Sequence, residues 1–322
     1  MAVFQNGMKM MKWIEFKVEY EEAEDLIVSE LISNVFYEIG IKGVAIYDGT
    51  MTTEDEWAED AVPISGPHSV IGYFPEDGHF KKKSRDLKNR LAAIKTQTNI
   101  RYVIRYRRIS EVGWADAWKK YFWPIRVGKH VVIKPTWRRF KALPGDMILK
   151  IDPGMAFGTG SHPTTVLCLE LIEKYIQKGD AFLDVGTGSG ILMVAAASLG
   201  AGRLVGVDKD ELAVAVAEKN LILNRIAKMI FQVKTGNLAE NISQTFDLIA
   251  ANILTEVIIS LLGGIPKVLN PGGTFICSGM IDKNTHRVEK KMAQTGFDIL
   301  EMLQKEGWVA IAAKPARKHI IL

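Results

Sequence analysis

The sequence predicts two domains, an α+β ferredoxin-like domain over residues 1–109 and a doubly wound α/β domain over residues 146–322. A connector of helix and strand over 110–145 joins them. Three observations carry that expectation. At 322 residues the chain exceeds the usual single domain. Between residues 13 and 109, apolar patterns of period 2 and period 3.6 follow one another in the order β-α-β-β-α-β. From Phe182 to Asp208 a short apolar run enters Gly186-Thr187-Gly188-Ser189-Gly190, continues as an alanine-rich helical segment, and returns as a second apolar run ending in an acid.

In the first domain, Trp13 to Glu19 alternates apolar and polar residues and reads as a strand. Glu22 to Tyr37 places Ala23, Leu26, Ile27, Leu31, Val35 and Phe36 on one helical face, and Gly40 stops it. Gly43 to Asp48 is the second strand and Ser69 to Phe74 the third, separated by the acidic loop Thr52 to Asp60. Phe80 to Thr96 is a basic helix burying Leu87, Leu91 and Ile94, and Ile100 to Ile109 is the fourth strand. In the connector, Glu111 to Phe122 sets Trp114, Trp118 and Tyr121 on one helical face, a pattern of core packing against a neighbouring domain first and of a nucleic-acid stacking surface second. Pro124 ends it, and Val131-Val132-Ile133 is a strand.

In the second domain, Ser161 to Ile176 is an amphipathic helix with Pro163 in its first turn, where proline is tolerated. Strands are expected at Ala181 to Val185, Leu204 to Val207, Ile230 to Lys234, Phe246 to Ala251, Thr274 to Ser278, Phe297 to Leu303 and Trp308 to Ala313. Helices fill the intervals: Ile191 to Leu199, Glu211 to Leu223, Thr255 to Leu269 (stopped by Asn270-Pro271-Gly272-Gly273) and Asn284 to Thr295. Glu306-Gly307 marks a hairpin between the last two strands.

Composition places the chain among ordinary globular proteins, 48% apolar and 24% charged. No run approaches the roughly 18 apolar residues of a membrane helix, and Met1 to Lys12 lacks a signal-peptide core. Cys168 and Cys277 sit singly in apolar surroundings, so reduced thiols, a cytoplasmic location and no membrane partner are expected; no metal ligands are assigned. The net charge of +4 is unevenly spread: 16 acids against 4 bases in residues 1–80, then 19 bases against 3 acids in residues 81–141. That asymmetry suggests a charged partner, and direct binding of nucleic acid through the basic stretch stays open.

Ligands of open parallel sheets sit beyond the carboxyl ends of the strands. Gly186, Asp208 and Asn252 all fall at such ends. A glycine turn lets the backbone approach a ligand, and a carboxylate after the next strand can accept hydrogen bonds from two ribose hydroxyls. A dinucleotide site wants its third small residue where Ile191 stands, one place beyond Gly190. The run Asp184 to Gly190 instead resembles the first motif of the S-adenosylmethionine-dependent methyltransferases. An ordinary tight turn is the plainer reading of the same glycines. Asn252-Ile253-Leu254 keeps the asparagine of the N/D-P-P-Y/F run of amine and amide methyltransferases but neither the prolines nor the aromatic. Strand-end turn chemistry would also place an asparagine there. The loop Asp152 to Thr165 holds three glycines and five hydroxyl or imidazole groups. It suits either a small-ligand lid or a helix entrance capped by Ser161 or Thr164.

Residues 152–165, Asp184 to Leu192, Val207-Asp208 and Ala251 to Leu254 together resemble the methyltransferases of large-subunit ribosomal protein eleven, the PrmA type. Glu111 to Trp137 is similar to that family's linker, and Met11-Lys12-Trp13-Ile14 to its usual start, so a start at Met11 is an alternative to Met1. The resemblance implies a seven-stranded class I methyltransferase domain with S-adenosylmethionine as cofactor, and a substrate-recognition domain before it. It also implies that Thr165, Gly186, Asp208 and Asn252 contact the cofactor with Phe157 and His162 nearby; Asp184 and Gly188 of the glycine motif complete that set. Asn252 is further expected to steer the attacking nitrogen, as the catalytic residue. The expected reaction is methyl transfer to α-amino or lysine ε-amino groups of ribosomal protein eleven. An enzyme of the same fold acting on RNA or a small molecule is the nearest alternative, followed by a nicotinamide dehydrogenase and a non-catalytic binding module.

Overall fold

The structure, a computed structural model, describes residues 12–21, 27–41, 44–47, 67–76, 79–98, 100–110, 119, 122–152, 160, 162–237 and 242–316. Contacts divide the chain into two compact units, Met1–Phe122 and Trp123–Leu322. Residues 123–145, expected in the connector, thus belong to the second unit. Trp114, Trp118, Tyr121, the acidic loop 52–60 and the start at Met11 lie outside the described residues. Among the described residues no helix is long and apolar enough to cross a membrane.

The first unit runs β1 (Lys12–Tyr20), α1 (Ile27–Glu38), β2 (Val44–Tyr47), β3 (His68–Pro75), α2 (Phe80–Thr98), β4 (Tyr102–Ser110). Its sheet has the order β2-β3-β1-β4, every pair antiparallel. Alternation on β1 buries Ile14, Phe16, Val18 and Tyr20 in one core with Val28, Ile32 and Phe36 of α1 and Leu87, Leu91 and Ile94 of α2. The charge asymmetry of the sequence turns out to be partly internal. Glu15, Glu19 and Glu76 pair with Arg107, Arg105 and Arg108 of β4, Glu21 with Arg101 just before it, and Glu38 with Arg90 of α2. Antiparallel register sets Glu15 opposite Arg107 and so joins the acidic first half to the basic second half.

The second unit opens with a three-stranded sheet, β5 (Ile125–Val127), β6 (Val131–Pro135) and β7 (Met147–Ile151), in which β6 and β7 are parallel. There follow α3 (Pro163–Tyr175), β8 (Ala181–Val185), α4 (Ile191–Ser198), β9 (Arg203–Asp208), α5 (Glu211–Leu223), β10 (Phe231–Thr235), β11 (Phe246–Asn252), α6 (Thr255–Leu261), α7 (Ile265–Val268), β12 (Leu269–Ile281), α8 (Asp282–Gln294), β13 (Phe297–Lys305) and β14 (Trp308–Pro315). The main sheet is seven-stranded and mixed, in the order β10-β9-β8-β11-β12-β14-β13. Strands β8 to β12 are parallel, and β14 runs antiparallel to both neighbours. Apolar layers cover both faces: Phe182, Leu204 and Leu248 belong to one, Leu183, Val205 and Ile249 to the other.

Three expected boundaries are corrected. The helix from Thr255 breaks after Leu261, because Gly263-Gly264 and Pro266 cannot sustain the helical ladder there. The fifth strand extends from Leu269 to Ile281, since Asn270 to Gly273 bulge out of the ladder instead of ending a helix: Phe246 pairs Leu269 but Leu248 pairs Thr274. The cap of α3 is His162, whose Nδ1 accepts from the Thr164 amide at 3.3 Å. The closing hairpin turns on Glu306 and Gly307, at φ 50° and 73°, a pair that matches strand twist.

Candidate active site

Strand order in the main sheet reverses between β8 and β11, so a crevice opens beyond their carboxyl ends. The glycine turn leaves β8 there. β8 is buried along its whole length, which fixes where Gly186 emerges. The amides of Gly186 and Thr187 both donate to the Val207 carbonyl, at 2.8 and 3.1 Å, binding the turn to the end of β9. The amide of Gly188 donates to Asp208 Oδ2 at 2.9 Å, and that of Asp210 donates to Oδ1 at 3.0 Å. One half-buried carboxylate therefore sets both its own loop and the glycine turn.

Two glycines have steric reasons to be glycine. Gly186 has φ 76°, and a Cβ there would lie 2.5 Å from Ile253 Cγ2. Gly190 has φ 77°, and its Cβ would lie 2.9 Å from Ala217 Cα on α5, so Gly190 lets α4 begin against a neighbouring backbone. Asp184 is fully buried. Its Oδ2 accepts from Thr187 Oγ1 at 2.7 Å, and its Oδ1 meets no donor among the described residues. Burial raises its pKa to about 7, opposed by the Thr187 hydroxyl and reinforced by the negative charge of Asp208.

On the other side of the switch point, Asn252 ends β11 and its Nδ2 donates to Thr165 Oγ1 at 3.3 Å. Thr165 lies in the first turn of α3 and is 1% exposed. The Ile253 amide donates to the Ser278 carbonyl at 3.0 Å. Ile253 is also the residue that Gly186 faces, so the Asn252 turn and the glycine turn meet. His162 Nδ1 lies 2.7 Å from Thr164 Oγ1, and its ring packs edge-on against Trp308 with centroids 4.7 Å apart. Burial lowers the imidazole pKa to about 4, although the residue keeps part of its surface exposed, and a neutral ring suits a cap.

Asp184, Gly186, Gly188 and Asp208 thus form one bonded cluster and Thr165 with Asn252 a second that touches it, while His162 caps the helix carrying Thr165. Phe157 lies outside the described residues. Sequence reasoning missed Asn220. This α5 side chain is fully buried; its Oδ1 accepts from the Asp152 amide at 2.9 Å and its Nδ2 donates to the Ser189 carbonyl at 2.8 Å. It joins the glycine turn to the start of the 152–165 loop. One turn on, Asn224 exchanges two hydrogen bonds with the Lys150 backbone, 2.8 and 2.7 Å long. An asparagine inside the helix and a second one turn on, at its C-cap, were the available signal, since a buried amide needs partners.

The family model described as Ribosomal protein L11 methyltransferase (PrmA) matches residues 12–316. The ribosomal protein L11 methyltransferase of Desulfosudis oleivorans is 39% identical over 313 residues, which cover 94% of this chain and 99% of the relative. That of Pelotomaculum thermopropionicum is 40% identical over 312 residues, again 94% of this chain and 99% of the relative. Among solved structures, the ribosomal protein L11 methylase of Lactobacillus delbrueckii subsp. bulgaricus is 31% identical, with a TM-score of 0.57, over 61% of this chain and 100% of that one. With a matched region that spans both units and a seven-stranded sheet whose switch point carries the glycine turn, this methyltransferase belongs to the ribosomal protein L11 methyltransferase (PrmA) family.

Proposed function

We propose that the chain transfers methyl groups from S-adenosylmethionine to amino nitrogens of ribosomal protein L11, with the first unit as a ferredoxin-like substrate-recognition domain. The β-α-β-β-α-β order and the all-antiparallel sheet β2-β3-β1-β4 support that domain reading. The residues at the switch point fit the cofactor. Asp208 stands where a ribose would present two hydroxyls. The Asp184 oxygen that meets no donor among the described residues suits a cationic amino group beside the glycine turn.

Bound there, the sulfonium supplies an electrophilic methyl group. The protein's task is to deliver an uncharged amine in line with it, and orientation of that kind is worth on the order of 7–11 kcal/mol. Asn252 is the orienting residue. With its amide nitrogen donating to Thr165, its Oδ1 is left to accept from the attacking amine. Thr165, held in the first turn of a capped helix, keeps that amide from rotating. An α-amine, with pKa about 7.7–8.0, arrives uncharged more readily than a lysine at about 10.4. The His162 ring, kept neutral by burial, holds the helix start.

The Thr165–Asn252 hydrogen bond at the switch point is the observation that carries this reading. Transfer of a labelled methyl group by the intact chain to purified L11, to RNA and to a mixed small-molecule fraction tests it. Label in L11, lost in Asn252→Ala at saturating donor, is the expected result; label in RNA alone overturns it.

A further inference from the structure

Ion pairing separates the bases of the first unit into two sets. Arg101, just before β4, and Arg105, Arg107 and Arg108 on it each face a carboxylate. On α2, Arg90 pairs with Glu38 and Lys83 lies over the Phe74 ring. Lys81, Lys82, Arg85, Lys88 and Lys95 are exposed and make no ion pair among the described residues. Residues 81, 85, 88 and 95 are spaced by four, three and seven, which puts them on one helical face with Lys82 at its margin. At 1.5 Å per residue the row is about 21 Å long. Asp86 is the one acid of the helix. Like charges at i and i+4, as at Lys81 and Arg85, work against an isolated helix. The stripe is therefore kept at the expense of helix stability.

We propose that this stripe docks the phosphate backbone of RNA. Other anionic partners fit it less well. Protein interfaces are anchored by buried aromatic or aliphatic groups, whereas the other exposed positions of α2 among the described side chains are Asn89, the paired Arg90, Ala92, Ala93 and Thr96. A helix lying on an anionic membrane inserts an apolar face, but Leu87, Leu91 and Ile94 are buried in the unit's own core. Point cations on long stems with small residues between them meet successive phosphates without reading bases. The choice of RNA among polyanions rests on the proposed ribosomal-protein substrate, which is found beside RNA.

The test is fluorescence anisotropy of a labelled single-stranded RNA of about 30 nucleotides titrated with the full chain. It is repeated with a variant carrying Lys81→Gln, Lys82→Gln, Arg85→Gln, Lys88→Gln and Lys95→Gln together. Five phosphate contacts predict a slope of log affinity against log salt near −3.5, from about −0.7 per contact. The variant should bind at least ~10-fold more weakly at about 0.1 M salt, with a slope near zero. Replacing the four lysines by arginine should preserve binding and confirm that charge is the cause. Methylation of isolated L11 by both proteins is run in parallel. Its absence in both overturns the substrate reading but leaves the anisotropy result standing. Equal RNA binding by wild type and the glutamine variant, or tighter binding of poly-glutamate or phosphatidylglycerol vesicles than of RNA, overturns the docking surface.

Discussion

The two units hold their polar groups in place by opposite means. Around the glycine turn, side chains bond to backbone in buried surroundings: Asn220 to Asp152 and Ser189, Asp208 to Gly188 and Asp210. In the first unit the corresponding links are ion pairs whose arginines lie open to water; Arg105 and Arg108 are 69% and 76% exposed as side chains. Buried bonds to backbone define one geometry and are poorly screened. Exposed pairs are screened within about 10 Å at 0.1 M salt and tolerate rearrangement. In the proposed reading, the fixed bonds of the second unit suit placement of a small ligand, and the exposed pairs of the first suit adjustable contact with a large charged one.

Asp208→Ala tests the rigid side of that contrast most severely. It releases the Gly188 amide and, on the proposed reading, removes the acceptor for two ribose hydroxyls, so affinity for S-adenosylmethionine should fall at least ~100-fold, given roughly 1.5–3 kcal/mol for each charge-assisted bond. Titration calorimetry showing unchanged affinity would remove Asp208 from the site.

Two buried titrating groups sharpen the contrast through pH. Asp184 has its folded pKa raised to about 7, so between about pH 4 and 7 the folded state holds a proton that the unfolded state has lost. Unliganded stability should therefore fall as pH rises through that window, by on the order of 2–4 kcal/mol. Asp184→Asn should abolish that loss in denaturant melts. His162 acts with the opposite sign. Its folded pKa is lowered to about 4, so it favours the folded state above about pH 6.5 and loses that contribution as pH falls toward 4. His162→Asn keeps a cap and should flatten the acid limb only.

Asn220→Leu removes the acceptor of the Asp152 amide and one donor to the Ser189 carbonyl. It should destabilise by about 1–3 kcal/mol, at roughly 0.5–1.5 kcal/mol per lost hydrogen bond, and weaken donor binding with it. Stability equal to wild type in urea would show that the bridge between the two loops is idle. Thr165→Val is milder. It frees the Asn252 amide to rotate, so single-turnover rates should drop about 10-fold, the value of one hydrogen bond, with donor affinity nearly kept. The smallest effect belongs to the first unit. Arg105→Gln should lower melting temperature slightly at low salt and not at all at about 1 M, where screening reaches within about 3 Å. An effect that persists at high salt would place that pair among the rigid bonds.

What could be read in advance was local. Gly186-Thr187-Gly188-Ser189-Gly190 needs positive φ at all three glycines, a demand that spacing reveals without a structure. That Asp208 ends the next strand was also legible; that its carboxylate bonds the Gly188 and Asp210 amides was not. The break after Leu261 was also written, in Gly263-Gly264 and Pro266, but the apolar periodicity around it masked the signal.

Taken alone, the sequence determined the order of elements in the first unit and the strand order along the chain of the main sheet, the glycine turn with its following acid, and the family resemblance, because each rests on local pattern. It did not show β5 and β7, which are too short to carry one. Tertiary structure decided who meets whom across the chain. Thr165 reaches Asn252 across 87 residues, Asn220 reaches Asp152 across 68, and Arg107 reaches Glu15 across 92. No periodicity encodes such pairs. They exist because apolar layers on both faces of the sheet, and the antiparallel register of the first unit, bring those side chains within hydrogen-bonding distance.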